Sequence, residues 1–100
     1  MGTVDLLKAL ADDTRYKIFT ILLNDELCAC KILEEFSITQ PTLSFHMKKL
    51  VSCGLVNHKK EGIWVRYSIN REAINQLKCL FDIAEPKETG VACCGSRMEV

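Results

Sequence analysis

The sequence predicts a mainly α-helical domain with a small β-hairpin wing, a winged helix-turn-helix in the order α-α-α-α-β-β-α. Two short helical patterns, separated by a few turn-type residues, lie between residues 26 and 54. Two strand patterns on either side of Glu61-Gly62 follow, and a last helical pattern begins at Arg71. One hundred residues suffice for one domain, with a small core that gains stability from dimerisation.

Apolar periodicity predicts the first two helices. Residues 4–11 form a short amphipathic helix whose apolar face consists of Leu6, Leu7 and Leu10. Either Asp12 or Asp13 can cap the next helix, because a carboxylate accepts a hydrogen bond from an unpaired first-turn amide. The wide buried stripe of this second helix consists of Ile18, Phe19, Leu22 and Leu23.

The next two helices form the helix-turn-helix. The inward side of its first helix consists of Ile32, Leu33 and Phe36. Thr39 can cap the second helix, and Pro41 is tolerated in the first turn because the amides there lack intrahelical partners. Gly54 is a suitable left-handed terminator. The apolar stripe of the second helix consists of Leu43, Met47 and Leu50.

The outer side of the second helix is polar and basic. At about 100° per residue, the side chains that point away from its apolar stripe or line its first turns are Gln40, Thr42, Ser44, Phe45, Lys48, Lys49 and Ser52. The formal net charge is zero, but residues 37–70 carry five basic residues and one acidic residue. Such a local positive excess is typical of a surface that contacts phosphate, although a solvated charged face has the same composition. These side chains could enter a major groove.

The wing is predicted from a period of two over residues 63–69, with strands at 55–60 and 63–69. Apolar Ile63, Val65, Tyr67 and Ile69 alternate there with Trp64, Arg66 and Ser68. Two strands alone are marginally stable, so the hairpin must pack on the helices. We expect Trp64 to pack at the base of the wing and the tip, residues 58–62, to project toward the DNA backbone.

The last helical pattern, residues 71–84, has an apolar stripe of Ile74, Leu77, Phe81 and Ala84. One core of this size cannot absorb both this stripe and the leucines of the first helix. We therefore predict that the first and last helices pair with their symmetry mates in a homodimer. The winged domain spans residues 1–84, and residues 85–100 are predicted to be a flexible, cysteine-containing tail because their periodicity is lost.

The six cysteines are expected to be reduced. No apolar run approaches the roughly 18 residues that span a bilayer, and the N-terminus lacks a signal-peptide pattern. We therefore expect a cytoplasmic protein with no membrane partner. In such a chain, cysteines indicate metal binding, redox chemistry or reactivity before structural disulfides.

Four stretches of the chain resemble the ArsR/SmtB family of metal-responsive winged-helix repressors. They are LADDTRYKIF (residues 10–19), ELCAC (26–30), TQPTLSFHMKKL (39–50) and GIWVRYSI (62–69). They occur in the order and spacing of that family and cover residues 5 to about 81. The resemblance implies a dimer formed by the terminal helices. It also implies binding to double-stranded operator DNA, which such proteins release when an inducer binds.

The resemblance also implies the DNA-contacting residues. Gln40, Thr42 and Ser44 should reach bases or phosphates. Phe45 departs from the polar residue usual at its position and could touch a thymine methyl or shield the interface. His46 is either a DNA contact or a half-buried, hydrogen-bonded side chain. The full predicted set is Gln40, Thr42, Ser44, Phe45, His46, Lys48, Lys49, Lys59, Lys60 and Arg66.

Cys28 and Cys30 are the candidate inducer ligands at the start of the first helix of the motif. Side chains two residues apart in a regular helix diverge by about 200°, but at a frayed first turn they can converge. Thiolates select soft, thiophilic ions over magnesium or calcium. From the residues alone, two ordinary buried cysteines remain an alternative. The resemblance implies that ELCAC binds trivalent arsenic or antimony in some members, and cadmium or lead in others.

A third sulfur must come from elsewhere, because family members with all three ligands on this helix have a cysteine where this chain has Leu33. We expect Cys93 or Cys94 to supply it, from the same or the partner subunit. The alternative is that both are exposed thiols prone to oxidation. Cadmium and lead sensors usually add cysteines from an N-terminal extension, so the expected inducer is arsenite, antimonite or methylarsenite, with cadmium or lead as the alternative.

The predicted function is therefore a repressor of arsenic-resistance genes that uses no organic cofactor. A thiol redox-switch repressor on the same fold remains open. A small thiol reductase is disfavoured because Cys-x-Cys is not Cys-x-x-Cys, and neither a βαβ pattern nor a catalytic base accompanies it. The protein is accordingly not expected to be an enzyme.

Overall fold

The computed structural model describes residues 2–83 and Pro86, and it confirms the predicted order of elements with one addition. The elements are α1 (Thr3–Leu10), α2 (Asp13–Leu22), β1 (Leu27–Cys28), α3 (Ala29–Leu33), α4 (Gln40–Ser52), β2 (Val56–Glu61), β3 (Trp64–Ile69) and α5 (Arg71–Ile83). The addition is β1, a strand too short for a periodicity signal. Apart from Pro86, the predicted tail with Cys93 and Cys94 lies outside the described residues.

The ends of α2 and α4 are fixed by local hydrogen bonds. Asp12, rather than Asp13, caps α2, since its carboxylate accepts from the Arg15 amide at 3.0 Å. Thr39 caps α4 by accepting from the Thr42 amide. Gly54, with φ of 92°, ends the turn after α4 in the left-handed conformation that suits a residue without Cβ. These predicted end signals fix where the outer face of α4 begins and stops.

All the helices and the sheet contribute to one core. The largest fully buried side chains are Leu6, Ile18, Ile32, Leu43, Met47, Leu50, Leu55 and Val56. The apolar stripe of α4 is buried among them, so the opposite side of α4 faces outward. Leu23, expected in the stripe of α2, is instead 53% exposed because α2 ends before it.

The wing is part of a three-stranded antiparallel sheet in the order β1-β3-β2. Its two long strands pair from Val56 with Ile69 to Glu61 with Trp64, and Gly62 turns the chain at φ of 65°. The expectation that Trp64 packs at the wing base is wrong. Trp64 directly follows the turn at the tip, is 54% exposed, and Ile63 beside it is 88% exposed. A period of two does not reveal which end of a hairpin reaches the core.

Helices α1 and α5 retain exposed apolar side chains, as their sequence patterns predict. They are Val4, Leu7, Phe81 and Ile83, of which Leu7 and Phe81 belong to the predicted stripes. Leu6, also in the predicted stripe of α1, is instead fully buried in the core. The two helices are joined by a hydrogen bond of 2.9 Å that the Gln76 amide donates to the Thr3 hydroxyl. In the part of the chain that the structure describes, no helix is long and apolar enough to cross a membrane.

Candidate thiol site and DNA-binding face

The Cys28 and Cys30 side chains converge at the start of α3. Their sulfur atoms are 2.9 Å apart. Cys28 is the N-cap residue, and its extended backbone (φ −82°, ψ 162°) places it outside the helix, whereas Cys30 lies in the first helical turn. The helical divergence of about 200° therefore does not apply to this pair. A single atom that binds soft ligands can reach both sulfurs.

The hydrogen bond between the two sulfurs shifts their pKa values in opposite directions. The hydrogen bond from Cys30 lowers the pKa of Cys28 below that of an ordinary thiol, and the Lys31 amide acts in the same direction. The same hydrogen bond raises the pKa of Cys30, whose thiol holds the shared proton. The pair therefore contains one readily formed thiolate and one thiol, so Cys28 is the sulfur expected to attack first.

Replacing Cys30 with alanine should slow alkylation of Cys28 near neutral pH. Without the hydrogen bond from Cys30, the pKa of Cys28 rises and a smaller fraction is thiolate at a given pH. The measurement is the rate of iodoacetamide modification of Cys28 against pH, followed by peptide mass spectrometry. The midpoint for Cys28 should move to higher pH in the variant, while the modification rate of exposed Cys79, which is the internal control, should be unchanged. An unchanged Cys28 midpoint would contradict the interaction.

The strand β1 connects the thiol pair to the wing. Cys28 pairs with Arg66 across the sheet, and Leu27 pairs with Tyr67. The Arg66 guanidinium lies 3.7 Å from Glu26 and 3.7 Å from Glu61. Arg66, predicted to contact DNA, is thus half-exposed and held by two carboxylates. A displacement of Cys28 acts directly on a strand of the wing.

A third ligand beside the pair is not among the described residues. Across residues 2–83 and Pro86, no three or more His, Cys, Asp or Glu side chains form a group that could hold a metal ion. Cys53 is half-buried against the core and donates to the Leu50 carbonyl at 3.3 Å. Cys93 and Cys94 lie outside the described residues, so their proposed role stays a prediction.

The outer face of α4 is exposed as the sequence predicts. Its exposed side chains include Gln40, Thr42, Ser44, Phe45, Lys48 and Lys49. Phe45 is 55% exposed, and the Lys49 ammonium lies 5.1 Å from the centre of its ring. This contact holds a cation beside an apolar surface one turn along the helix. Lys59 and Lys60 are exposed on β2.

His46 differs from the other predicted DNA contacts because its ring is turned inward. Its side chain is 13% exposed, and Nδ1 lies 3.1 Å from Nη1 of Arg15. A guanidinium only donates, so His46 accepts through Nδ1. Arg15 also donates from Nε to the Ala9 carbonyl at 2.7 Å. His46 thus joins α4 to the junction of α1 and α2.

Arg15 and Asp12 complete this junction, although no pattern in the sequence assigns a role to Arg15. The Arg15 backbone amide lowers the pKa of Asp12, and the charge of the Arg15 guanidinium contributes further. Arg15 lies one helical turn after Asp12, so the hydrogen bond between its backbone amide and the Asp12 carboxylate is a local N-cap interaction. Its partner is 31 residues away in sequence, so no local pattern could identify His46 as that partner.

A polar, exposed helix held beside a two-stranded wing defines a winged helix-turn-helix DNA-binding regulator. Residues 12–58 match the description "bacterial regulatory protein, arsR family". The chain is also 42% identical over 88 residues to the arsenical resistance operon repressor of Staphylococcus xylosus, covering 88% of this chain and 85% of that protein. The chain belongs to the ArsR family of transcriptional repressors.

Other relatives carry the names of different thiophilic metals. A cadmium resistance transcriptional regulatory protein CadC homolog of Staphylococcus aureus is 38% identical over 78 residues, covering 77% of this chain and 64% of that protein. A probable mercury resistance operon repressor of Streptomyces lividans is 32% identical over 93 residues, covering 92% and 74%. The relatives therefore share the fold but not one named inducer.

Solved structures confirm the predicted fold. The crystal structure of a possible transcriptional regulator for arsenical resistance aligns with a TM-score of 0.73 and 28% identity, covering 79% of this chain and 82% of that one. The homodimeric winged helix-turn-helix DNA-binding domain of Mb0332 from Mycobacterium bovis aligns with a TM-score of 0.67 and 29% identity, covering 80% and 74%.

Proposed function

We propose that this repressor releases its operator when a trivalent arsenical binds Cys28 and Cys30, which derepresses arsenic-resistance genes. The observation that carries the proposal is the 2.9 Å separation of the two sulfurs at the start of α3, the helix that precedes the recognition helix, and beside the wing. Trivalent arsenic exchanges hydroxide for thiolate, and such soft centres prefer sulfur to oxygen. Cys93 or Cys94 supplies a third sulfur when inorganic arsenite binds. The protein is a regulator and not an enzyme.

The DNA-binding unit is a homodimer. The exposed apolar residues of α1 and α5 form its interface, and the homodimeric relative from M. bovis supports this assembly. Two recognition helices then lie about 34 Å apart, one turn of the double helix. Gln40, Thr42, Ser44 and Phe45 meet the major groove. Lys48, Lys49, Lys59, Lys60 and Arg66 neutralise phosphates, and His46 positions α4 through Arg15.

The deciding experiment is fluorescence anisotropy on DNA from upstream of the protein's own gene. The reduced protein is titrated separately with arsenite, methylarsenite, antimonite, cadmium, lead and peroxide. Release by near-stoichiometric arsenical supports the proposal. Release by cadmium or lead alone would favour the second candidate, which the cadmium-named relative supports. Release by peroxide alone would identify a redox switch.

Replacing Lys48 or Lys60 with alanine should weaken operator binding and reduce its salt dependence. Each lost phosphate contact lowers the slope of log K against log salt by about 0.9, and a dimer loses two contacts for each substitution. The slope should therefore fall by about two, as measured by anisotropy from low to moderate salt. Arg71→Ala, exposed at the other end of β3 from the wing tip, is the control. An equal loss in that control would show a general charge effect.

A further inference from the structure

A cavity of about 110 Å³ lies directly beside Cys30. It is bounded by α3, α4 and β3. Its lining residues are Ala29, Cys30, Leu33, Gln40, Leu43, Ser44, Met47 and Tyr67. Of these described residues, Cys30 is the sole thiol, and no carboxylate or imidazole belongs to the lining. The cavity therefore offers one arsenic ligand at its edge and an interior of mixed character, with apolar walls from Ala29, Leu33, Leu43 and Met47.

Leu33 determines the chemistry of this cavity. It lies one helical turn after Cys30, so its side chain is the neighbour that Cys30 has along α3. A sulfur at this position could bind an atom held by Cys28 and Cys30, but an isobutyl group cannot. A third substituent on that atom, if it points into the cavity, therefore contacts the Leu33 side chain and the phenol ring of Tyr67 rather than a third sulfur.

We propose that this cavity receives the carbon substituent of a trivalent organoarsenical, R–As(OH)₂, whose arsenic is bound by Cys28 and Cys30. The inference rests on the proposed function and specifies its ligand. Two As–O bonds break and two As–S bonds form, and each hydroxide leaves as water with one thiol proton. Arsenic stays trivalent and the As–C bond is kept. No third sulfur is required, because carbon already occupies that valence.

The volume of the cavity limits the substituent to a small one. A cavity of about 150 Å³ is known to hold benzene, and the space beside Cys30 is smaller. A methyl group fits, whereas a phenyl group requires its walls to move. Burying one methyl carbon corresponds to about a fourfold gain in affinity, so the cavity distinguishes methylarsenite from arsenite by a modest but measurable factor.

The substituent also acts on the recognition helix. Leu43, Ser44 and Met47 form the α4 wall of the cavity. A second groove, between α4 and β2, shares three lining residues with this cavity: Ser44, Met47 and Tyr67. A group that fills the cavity presses on α4 from the side that faces α3 and β3. It thereby favours a conformation with a displaced recognition helix, and the coupling with DNA binding needs only a difference of this kind between the two states.

The test compares operator release by arsenite, methylarsenite and trivalent phenylarsenite across matched variants. Ala29→Leu fills the cavity, and Lys31→Leu adds the same side chain on the exposed side of α3. Leu33→Ala enlarges the cavity, and Ile38→Ala truncates another half-buried aliphatic residue packed on the same core. Each variant is first checked for folding by circular dichroism and for operator affinity without arsenical.

In the wild type, phenylarsenite should release DNA less readily than methylarsenite. Ala29→Leu should reduce the preference for methylarsenite over arsenite about fourfold, while Lys31→Leu leaves it unchanged. Leu33→Ala should lower the half-release concentration of phenylarsenite about tenfold, with less than about a twofold change for arsenite. A gain of response that is selective for phenylarsenite cannot result from a generally weakened fold, because a weakened fold would ease release by all three arsenicals.

Two results would overturn the inference, and they are distinguishable. If arsenite releases DNA but the preferences are the same in all variants, the cavity does not bind the substituent and the proposed function stands. If none of the three arsenicals releases DNA from the wild type, the proposed function fails together with this inference.

Discussion

Replacing Cys28 with serine should abolish release of the operator by arsenical while leaving operator affinity unchanged. The substitution removes the sulfur with the lowered pKa, and a hydroxyl is a poor ligand for a soft centre. The fold should be kept because Cys28 is the N-cap of α3, where serine is a preferred residue. Release by ten- to hundredfold requires about 1.4–2.7 kcal/mol of coupling, and losing one ligand should remove that coupling.

The measurement is the same anisotropy titration, with Cys79→Ser as the control because Cys79 is an exposed thiol on α5. Loss of accessible thiols on addition of arsenite separates binding from its effect on DNA. The variant should keep its operator affinity and show no release at inducer levels about a hundredfold above those that release the wild type. If operator binding collapsed instead, Cys28 would be a structural residue.

Replacing Phe81 with glutamate should convert the dimer to monomers and lower operator affinity by about a hundredfold or more. Phe81 is 69% exposed on α5, in line with Ile74 and Leu77. In a dimer, a carboxylate here would be buried without a partner, and two copies would meet across the symmetry axis. Operator binding suffers because two linked modules gain about 10²–10⁴ in avidity over one.

Sedimentation velocity over a range of protein concentrations measures the assembly, and anisotropy measures the affinity. Asn75→Glu is the control, since it adds the same charge on the same helix at an exposed polar residue about 100° from the apolar stripe. It should remain dimeric. A Phe81→Glu protein that stays dimeric at micromolar concentration would place the interface elsewhere.

Local signals predicted most of the fold. Asp12, Thr39 and Gly54 each act within one helical turn, and the structure uses all three as caps or terminators. The outward direction of α4 followed from a buried stripe at helical spacing, since the remaining side chains have only one direction to face. These features depend on neighbours in sequence, which is why the sequence is sufficient for them.

Features that depend on distant residues could not be predicted. The partner of Arg15 is on α4, and the cavity beside Cys30 has walls from three elements. Trp64 is exposed near the wing tip rather than packed at the wing base, because an alternating pattern indicates which face of the sheet a side chain lies on but not how far it is from the core. The convergence of Cys28 and Cys30 was conditional on an irregular first turn. The strand β1 supplies that irregularity, because it keeps Cys28 extended.

The brevity of β1 has a consequence for how inducer specificity can change. This strand has two residues and sits at the edge of the sheet, while the large buried side chains come mainly from the helices and from Leu55 and Val56. Residues 28–31 can therefore vary in their ligands with little effect on the free energy of unfolding, whereas Ile32 and Leu33 pack in or against the core. Substitutions in this segment can therefore change which metal or metalloid the protein binds while the rest of the fold stays the same. Relatives named for arsenical, cadmium and mercury resistance are consistent with ligand residues that change independently of the residues that stabilise the fold.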